Sequence, residues 1–409
     1  MKIVQLNTTY GMADSTGRNV KELHNYFMHE GCESYVYVSR FNDETSKSEV
    51  NVKLFSNKLD QKIHAVLSRI TGLQGYFSKK STQRLLKELT VIRPDVVILN
   101  VLHSNCINFE ILFSYLADEK IATVLVLHDC FFFTGHCCHY VDSNCTRWKD
   151  NCGNCPSMKM WNKSLFFDTS EKALRDKKEW FSKFDSLNLN VVAVSKWMEN
   201  EVRKSILKIA NIAFIYNWVD LKNFEYTNEL PVKLPKQRKK YIAVAVASYW
   251  DDNKGLNDII KLSERINDLT VLVIGHWNSK FKVYNNIFEV GIVQDMREMA
   301  RYYSIADVFL NPSKQEAFGK TTAEALACGT PVVAYRTTAC TELVNRERGA
   351  LAECGNTEDY ISKVREVLNN GREFYSMRAT EFSKENFDGI KNMKTYLKLI
   401  EDVVNRKKK

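Results

Sequence analysis

The chain has 409 residues, of which 44% are hydrophobic, and its 58 basic and 49 acidic residues give a net charge of +9. A single hydrophobic core stops growing at about 250–300 residues, so this length predicts two domains. The sequence lacks the run of about 18 apolar residues that a transmembrane helix needs, and it opens on a strand-like segment instead of a signal peptide. We therefore expect a cytoplasmic protein, whose positive charge suits nucleic acid, an anionic membrane face or solubility alone.

The first half alternates short β-branched segments with helix-like periods, which predicts a parallel sheet wrapped by helices. The predicted strands span 3–6, 35–38, 95–99, 123–127, 191–194 and 212–216. A polar loop follows the first strand and ends at Gly17, which permits the close approach of a ligand, and a helix is expected to begin at Arg18. His128 and Asp129 follow the fourth strand. An ordinary turn at Gly17 and a structural role for His128 remain the alternative interpretations.

Five of the 11 cysteines lie between positions 137 and 155. In a cytoplasmic protein, a Cys-x-x-Cys pair with further cysteines nearby favours tetrahedral zinc over disulfides. The predicted ligands of this structural zinc are Cys137, Cys145, Cys152 and Cys155, with Cys138 or His139 as substitutes for Cys137. Reduced thiols without metal and a disulfide pair are the alternatives, because the gaps of this cluster match no common zinc finger.

A charged segment with two prolines, 229–240, reads as an exposed connector, and a second alternation of strands and helices follows it. Its predicted strands span 241–247, 270–274, 287–291, 307–310 and 331–335. Ligands of such open sheets bind beyond the carboxyl ends of the strands, where the motifs of this chain lie.

The most informative segment is 315–334, which we interpret as a loop to Gly319, a helix over 320–328 and a further strand. The start of a helix favours an anion through its amides and its dipole, and a glycine lets a phosphate approach the backbone. Glu316 lies in the loop and Glu324 in the helix, so the two carboxylates flank the predicted anion site. A nucleotide-sugar requires this layout.

This segment resembles the motif of two glutamates separated by seven residues in family four of the retaining GT-B glycosyltransferases. The resemblance extends to 15–18, His128-Asp129, 217–220 and 244–255, in the order of the family. It implies an α/β fold of the GT-B type, in which two doubly wound Rossmann-like domains face a central cleft. The expected domains are 1–220 for the acceptor, with a cysteine-rich insertion at 134–156, and 221–387 for the nucleotide-sugar. A C-terminal helix, 388–409, is expected to cross back to the first domain.

The resemblance also implies roles for individual residues. Lys254 matches the lysine that contacts the diphosphate, Glu324 the residue that binds the ribose, and Glu316 the residue that meets the transferred sugar. His128 matches the histidine beside the sugar and Gly17 the glycine near the donor. The remaining expected donor contacts are Phe318, Gly319, Lys320 and Thr321. Tyr249 stands where the family often carries an arginine, and Lys320 is the proposed replacement for that charge.

The expected function is sugar transfer from a UDP- or GDP-sugar to a glycan or lipid-linked oligosaccharide in bacterial exopolysaccharide, capsule or lipopolysaccharide synthesis. The sequence contains no Asp-x-Asp triplet, so no catalytic divalent metal is expected. The alternatives are a nucleotide-sugar epimerase or a glycan phosphorylase of the same fold. From another class, a zinc-stabilised nucleic-acid-binding protein would use the basic surplus and the cysteines.

Two basic amphipathic segments, 57–89 and 393–409, suit peripheral contact with an anionic membrane. The alternative is that both apolar stripes face the protein core.

Overall fold

The computed structural model describes residues 1–12, 14–160, 162–277 and 286–408. The chain divides into two compact units. The first comprises 1–215 together with 393–409, and the second comprises 216–392. The sequence-based boundaries at 220 and 387 lie within about five residues of these divisions.

The first unit is built on a parallel sheet of seven strands in the order β3-β2-β1-β4-β5-β6-β7. The strands are β1 (Lys2–Tyr10), β2 (Glu33–Phe41), β3 (Val52–Leu54), β4 (Val96–Leu99), β5 (Ala122–Leu127), β6 (Leu189–Ala193) and β7 (Asn211–Phe214). The helices are α1 (Ser15–His29), α2 (Lys58–Thr71), α3 (Lys79–Ile92), α4 (Phe109–Asp118), α5 (Ser170–Ser182) and α6 (Lys196–Val202). Every residue of β4, β5 and β6 is buried, as expected for strands covered by helices on both faces.

The second unit carries a parallel sheet of six strands in the order β10-β9-β8-β11-β12-β13. The strands are β8 (Tyr241–Tyr249), β9 (Leu269–His276), β10 (Ile287–Gly291), β11 (Val308–Asn311), β12 (Val332–Tyr335) and β13 (Gly349–Ala352). The helices are α7 (Leu256–Arg265), α8 (Met296–Ile305), α9 (Lys320–Ala327), α10 (Cys340–Leu343), α11 (Thr357–Asn370), α12 (Glu373–Phe387) and α13 (Gly389–Lys408), most of which belongs to the first unit.

In both sheets the strand order reverses beside the first strand of the unit. The reversal lies between β1 and its neighbour β4 in the first unit, and between β8 and its neighbour β11 in the second. Ligands of doubly wound sheets bind at such a switch point, beyond the carboxyl ends of the two strands. The loops that follow β8 and β11 contain Lys254 and Glu316, so the fold brings these distant positions to one edge of the second sheet.

Two sequence-based expectations about helices are corrected by the structure. Helix α1 begins at Ser15 and not at Arg18, because Asp14 is its N-cap and accepts the amide of Gly17 at 2.7 Å. The apolar stripe of α13 is buried, but that of α2 is exposed, so the alternative that both stripes face the core is wrong for α2. Among the described helices, none is both long enough and apolar enough to traverse a bilayer.

Candidate donor site and neighbouring clusters

The switch point of the second unit holds a close ion pair. The Nζ atom of Lys254 lies 2.6 Å from Oε1 of Glu316 and 3.3 Å from Oγ of Ser313. The side chains of Lys254 and Glu316 keep 38% and 18% of their accessible surface, so the pair is reachable from solvent. Burial alone would lower the pKa of Lys254, but the charge and the hydrogen bond of Glu316 raise it overall. The lysine is therefore a cation at neutral pH, held in place by the carboxylate.

Backbone geometry fixes the lysine beside β11. Gly255 follows Lys254 with φ 72°, and a Cβ at this position would lie 2.4 Å from the carbonyl oxygen of Pro312. Only glycine tolerates both the left-handed conformation and this close approach. The turn thus holds Lys254 against the loop that carries Glu316.

The loop of Glu316 is in turn held by the segment after β12. The amide of Glu316 donates to Oγ1 of Thr338 at 2.9 Å, and the amide of Ala339 donates to the Glu316 carbonyl at 3.3 Å. The hydroxyl of Thr337 donates to the carbonyl of Lys314 at 3.0 Å. These bonds fix the backbone from which the Glu316 side chain extends.

Helix α9 begins at Lys320, directly after Gly319, which has φ 91°. Because a helix start carries a partial positive charge and amides that point outward, it suits a phosphate group. Lys320 and Thr321 occupy the first turn and are partly exposed. Gly319, Lys320 and Thr321 therefore lie at the helix start where the sequence predicts an anion site.

Glu324 lies further along α9 and is buried, with 4% of its surface exposed. The hydroxyl of Tyr303 donates to Oε2 of Glu324 at 3.2 Å. This bond orients the carboxylate within the unit, which is a requirement for a residue that is to hold two hydroxyls of one sugar.

Phe318 is placed differently from the other predicted donor contacts. Its ring is buried and packs against Tyr216 and Phe387, with ring centroids 5.9 and 5.3 Å away. The side chain therefore belongs to the core beneath the loop, and a contact of Phe318 with a ligand is left to its backbone.

The predicted site residues of the first unit lie at the carboxyl ends of its strands. The amide of Gly17 is engaged by Asp14 in the first turn of α1. The Nε2 atom of His128, after β5, lies 3.1 Å from Oδ1 of Asn100, which follows β4. Asn100 is a neighbour that the sequence analysis did not select, because its spacing along the chain carries no motif.

A second charged cluster lies beside His128. The Nε2 atom of His103 is 2.7 Å from Oδ2 of Asp129 and 3.6 Å from Sγ of Cys138. Burial opposes charge on both partners, but Cys138 and Asp129 raise the pKa of His103 well above its usual value, and His103 contributes to lowering that of Asp129 to about 2. The result is a charged histidine and carboxylate pair.

His103 and Cys138 also line a cavity of about 510 Å³. Its other walls include Arg40, Lys58 and Lys62, and none of its lining residues is acidic. An open cavity with this charge suits an anionic group such as a phosphate.

The four cysteines of the predicted zinc shell are not assembled into one. Among the described residues, the group whose ligand atoms all lie within 4.8 Å of one another is His103, Asp129 and Cys138, and it includes none of Cys137, Cys145, Cys152 and Cys155. Burial, with smaller contributions from neighbouring thiols, raises the pKa of Cys137 and brings that of Cys152 to about 11. Among the described residues, the geometry therefore gives the predicted zinc no support.

The sequence of the second unit identifies the family to which it belongs. Residues 227–385 match the sequence model of the family described as Glycosyl transferases group 1. This segment belongs to the group 1 glycosyl transferases. It contains Lys254, Glu316, Lys320 and Glu324, and the predicted resemblance is confirmed.

Curated relatives match longer parts of the chain at low identity. Over 263 residues, 63% of each chain, the protein is 23% identical to WcaC of Escherichia coli K12, named as a colanic acid biosynthesis glycosyl transferase. The chain spans less than two thirds of the first curated relatives it matches, at 63%, 59% and 59% of their lengths.

Solved structures show the fold of the chain over nearly its whole length. Sucrose-phosphate synthase from Thermosynechococcus elongatus matches with a TM-score of 0.72 and 16% identity, covering 99% of each chain. Anabaena HepE, solved with UDP and glucose, matches with a TM-score of 0.66 and 15% identity, covering 98% of this chain and 100% of HepE. The predicted GT-B class, with two Rossmann-like α/β domains, is confirmed.

Proposed function

We propose that the protein is a retaining glycosyltransferase, which moves a sugar from a UDP- or GDP-sugar to a hydroxyl of a glycan or lipid-linked oligosaccharide. The observation that carries this proposal is the Lys254–Glu316 pair at a switch point, beside the start of α9, inside a group 1 glycosyl transferase segment. The names of WcaC and of the HepE complex favour a polysaccharide product and a nucleotide-sugar donor. A bacterial exopolysaccharide, capsule or lipopolysaccharide is the product class we propose.

In this proposal, different residues bind the diphosphate, the ribose and the transferred sugar of the donor. Lys254, the amides near Gly319 and Lys320 neutralise the diphosphate, which gains negative charge as it departs. Electrostatic stabilisation of developing charge usually supplies the largest part of such catalysis. Glu324, oriented by Tyr303, accepts the ribose hydroxyls, and Glu316 accepts hydroxyls of the transferred sugar. Because these groups can neutralise the diphosphate, the proposal needs no catalytic divalent metal.

The reaction breaks the bond between the anomeric carbon and the diphosphate oxygen, and the acceptor oxygen bonds to the same face of that carbon. The electron pair of the broken bond stays on the diphosphate, whose oxygen receives the acceptor proton. His128, held by Asn100, stabilises the positive charge that develops on the sugar ring. We further propose Gly17 as a donor contact, and the basic cavity beside His103 as the site that receives an anionic part of the acceptor.

A lipid-linked acceptor further implies that the enzyme works at the inner face of the cell membrane as a peripheral protein. The family of residues 227–385 favours the transferase over a zinc-stabilised nucleic-acid-binding protein. An epimerase of the same fold would change the sugar and keep it on its nucleotide or release it without an acceptor.

The test is a thermal-shift panel of UDP, GDP, ADP and their sugars, followed by measurement of released nucleotide with a lipid-linked or glycan acceptor. We expect one nucleotide to raise the melting temperature selectively, and release of that nucleotide to require the acceptor. No shift with any nucleotide would refute the proposal, and acceptor-independent conversion of the sugar would identify an epimerase.

A further inference from the structure

Helix α2 has its polarity reversed relative to an ordinary surface helix. Its buried residues are polar, namely His64 and Ser68, while its large apolar side chains are 36–68% exposed. These exposed residues are Leu59, Ile63, Val66, Leu67 and Ile70. Their spacing of three and four residues places them on one face of the helix. An amphipathic helix in a globular protein normally turns this face to the core.

The inward face of α2 is fixed by hydrogen bonds. The Nδ1 atom of His64 lies 2.8 Å from Oγ of Ser78, and its Nε2 accepts the amide of Gly75 at 3.1 Å. The hydroxyl of Ser68 lies 2.8 Å from Oδ1 of Asn105. Since these buried polar groups are satisfied by the protein, rotating the helix to bury its apolar face would break them. The outward direction of the apolar face is therefore part of the fold.

A second exposed apolar segment adjoins the end of the helix. Leu165, Phe166 and Phe167 are 57–68% exposed. The amide of Leu165 donates to the carbonyl of Arg69 at 2.7 Å, and the hydroxyl of Thr169 donates to the carbonyl of Thr71 at 3.1 Å. These bonds hold the loop against the end of α2. We call the five helix residues together with Leu165, Phe166 and Phe167 the α2 apolar surface.

Cations accompany this surface. Four exposed basic residues lie on or near it: Lys58, Lys62 and Arg69 on α2, and Lys163 just before Leu165. Helix α2 contains one acidic residue, Asp60. Apolar side chains beside lysine and arginine match the boundary of an anionic bilayer, where acyl chains lie beneath phosphate groups. Helix α13 is also basic, but the apolar stripe formed by Met393, Tyr396, Leu397, Ile400 and Val404 is buried. The structure thus selects α2 from the two basic amphipathic segments.

We propose that the α2 apolar surface docks on an anionic phospholipid bilayer, with Phe166 and Phe167 inserted below the headgroups and the lysines among the phosphates. This deepens the peripheral membrane contact of the proposed function by naming the surface that makes it. Lys58 and Lys62 also line the cavity of about 510 Å³, so docking places that basic cavity beside the headgroups. An acceptor anchored in the membrane would then enter the cavity by its phosphate end.

The test is co-sedimentation of the full-length protein with vesicles of phosphatidylcholine alone or of phosphatidylcholine and phosphatidylglycerol in equal parts. We expect binding to the anionic vesicles, weakened by salt because charges at the surface are screened. The triple variant Ile63→Ser, Val66→Ser and Phe166→Ser should bind at least about 20-fold less tightly, since each inserted apolar group contributes roughly threefold or more. The double variant Lys58→Gln and Lys62→Gln should lose about fivefold per charge.

The matched control replaces three apolar residues elsewhere that are at least half exposed, as the test residues are. The control, Val91→Ser, Ile209→Ser and Leu230→Ser, should bind vesicles as the wild type does. All variants are also tested for the nucleotide-induced thermal shift, which depends on the second unit. A triple variant that keeps this shift but loses vesicle binding supports the docking surface independently of the acceptor. The inference is overturned if the triple variant sediments like the control, or if light scattering shows a wild-type dimer that the triple variant abolishes.

Discussion

Replacing Lys254 by alanine tests whether the cation at the switch point holds the donor diphosphate. The ammonium group of Lys254 is 2.6 Å from Oε1 of Glu316, so the lysine has a carboxylate partner within the protein. A bound diphosphate would offer oxygens to the same ammonium group. The variant therefore removes one charge-assisted hydrogen bond to the ligand, together with the resting ion pair.

The expected magnitude follows from the kind of bond. A hydrogen bond to a charged group contributes about 1.5–3 kcal/mol, which corresponds to a loss of about 10- to 150-fold in nucleotide affinity. The effect on folding should be smaller. Because more than a third of the Lys254 side chain is exposed, the resting pair lies between a surface and a buried salt bridge, and we expect a loss of roughly 1 kcal/mol in unfolding free energy.

A second variant, Glu316→Gln, separates the two binding roles, because it should affect the binding of the nucleotide and of the nucleotide-sugar differently. If Glu316 binds only the sugar, the bare nucleoside diphosphate should bind Glu316→Gln as tightly as wild type or more tightly, since the lysine no longer has a competing partner. With the complete donor, kcat/KM should fall about 10- to 150-fold in Glu316→Gln, as one charged hydrogen bond is lost. Isothermal titration with the diphosphate and initial rates with its sugar separate the two cases.

The control is Lys236→Ala, an exposed lysine of the same unit. It corrects for the change in net charge, which acts on any anionic ligand. If Lys254→Ala keeps its affinity for the diphosphate within twofold of this control, the lysine does not hold the phosphate and the proposed division of the donor fails.

Three further predictions concern the fold and its charged clusters. Gly255→Ala should destabilise the second unit by about 1–3 kcal/mol in urea unfolding, because φ is 72° and the new Cβ would meet Pro312; an unchanged midpoint would contradict the strain. Phe318→Ala should cost about 3–5 kcal/mol in the same measurement through the lost ring packing, whereas a ring that only touched the ligand would leave stability intact. The His103–Asp129 pair should stabilise the protein fully between about pH 4 and 6.5: its contribution falls at higher pH as His103 passes its raised pKa, and at lower pH as Asp129 approaches about 2. Thermal unfolding across pH should therefore show an alkaline decline that is smaller in His103→Gln, and identical profiles would refute the charged pair.

The sequence predicts the two-domain α/β class and most strands because hydrophobic runs of four to eight residues are local signals. The predicted strand at 123–127 and the observed Ala122–Leu127 differ by one residue, for example. Long-range contacts carry no such signal. Lys254 and Glu316 are 62 positions apart, and their pairing depends on β8 and β11 becoming neighbours. Motif resemblance gave both residues a role but did not indicate that they contact each other.

The predictions for Phe318, the cysteines and helix α2 differ from the structure because each depends on tertiary packing, which the local sequence does not encode. Phe318 lies inside the predicted ligand motif, but its ring is buried against Tyr216 and Phe387 and anchors the loop that precedes α9. Cysteine spacing leads to a metal site only if the fold brings all four sulfur atoms close together. Among the described residues, the four predicted ligands do not form such a group. Helices α2 and α13 have similar basic amphipathic sequences, but the face that each buries is decided by its partners. For α2 these are Ser78, Gly75 and Asn105, which accept or donate hydrogen bonds.

The ion pair also sets the charge balance of the proposed donor site. A partly buried ammonium group without a partner would lose solvation, which disfavours the folded state. Glu316 offsets this by pairing with Lys254, so the site carries one balanced charge pair instead of one unpaired cation. In the proposed function, a diphosphate bound to the ammonium group would release the carboxylate. Glu316 would then bind the sugar only with the diphosphate in place, which would couple recognition of the two parts of the donor.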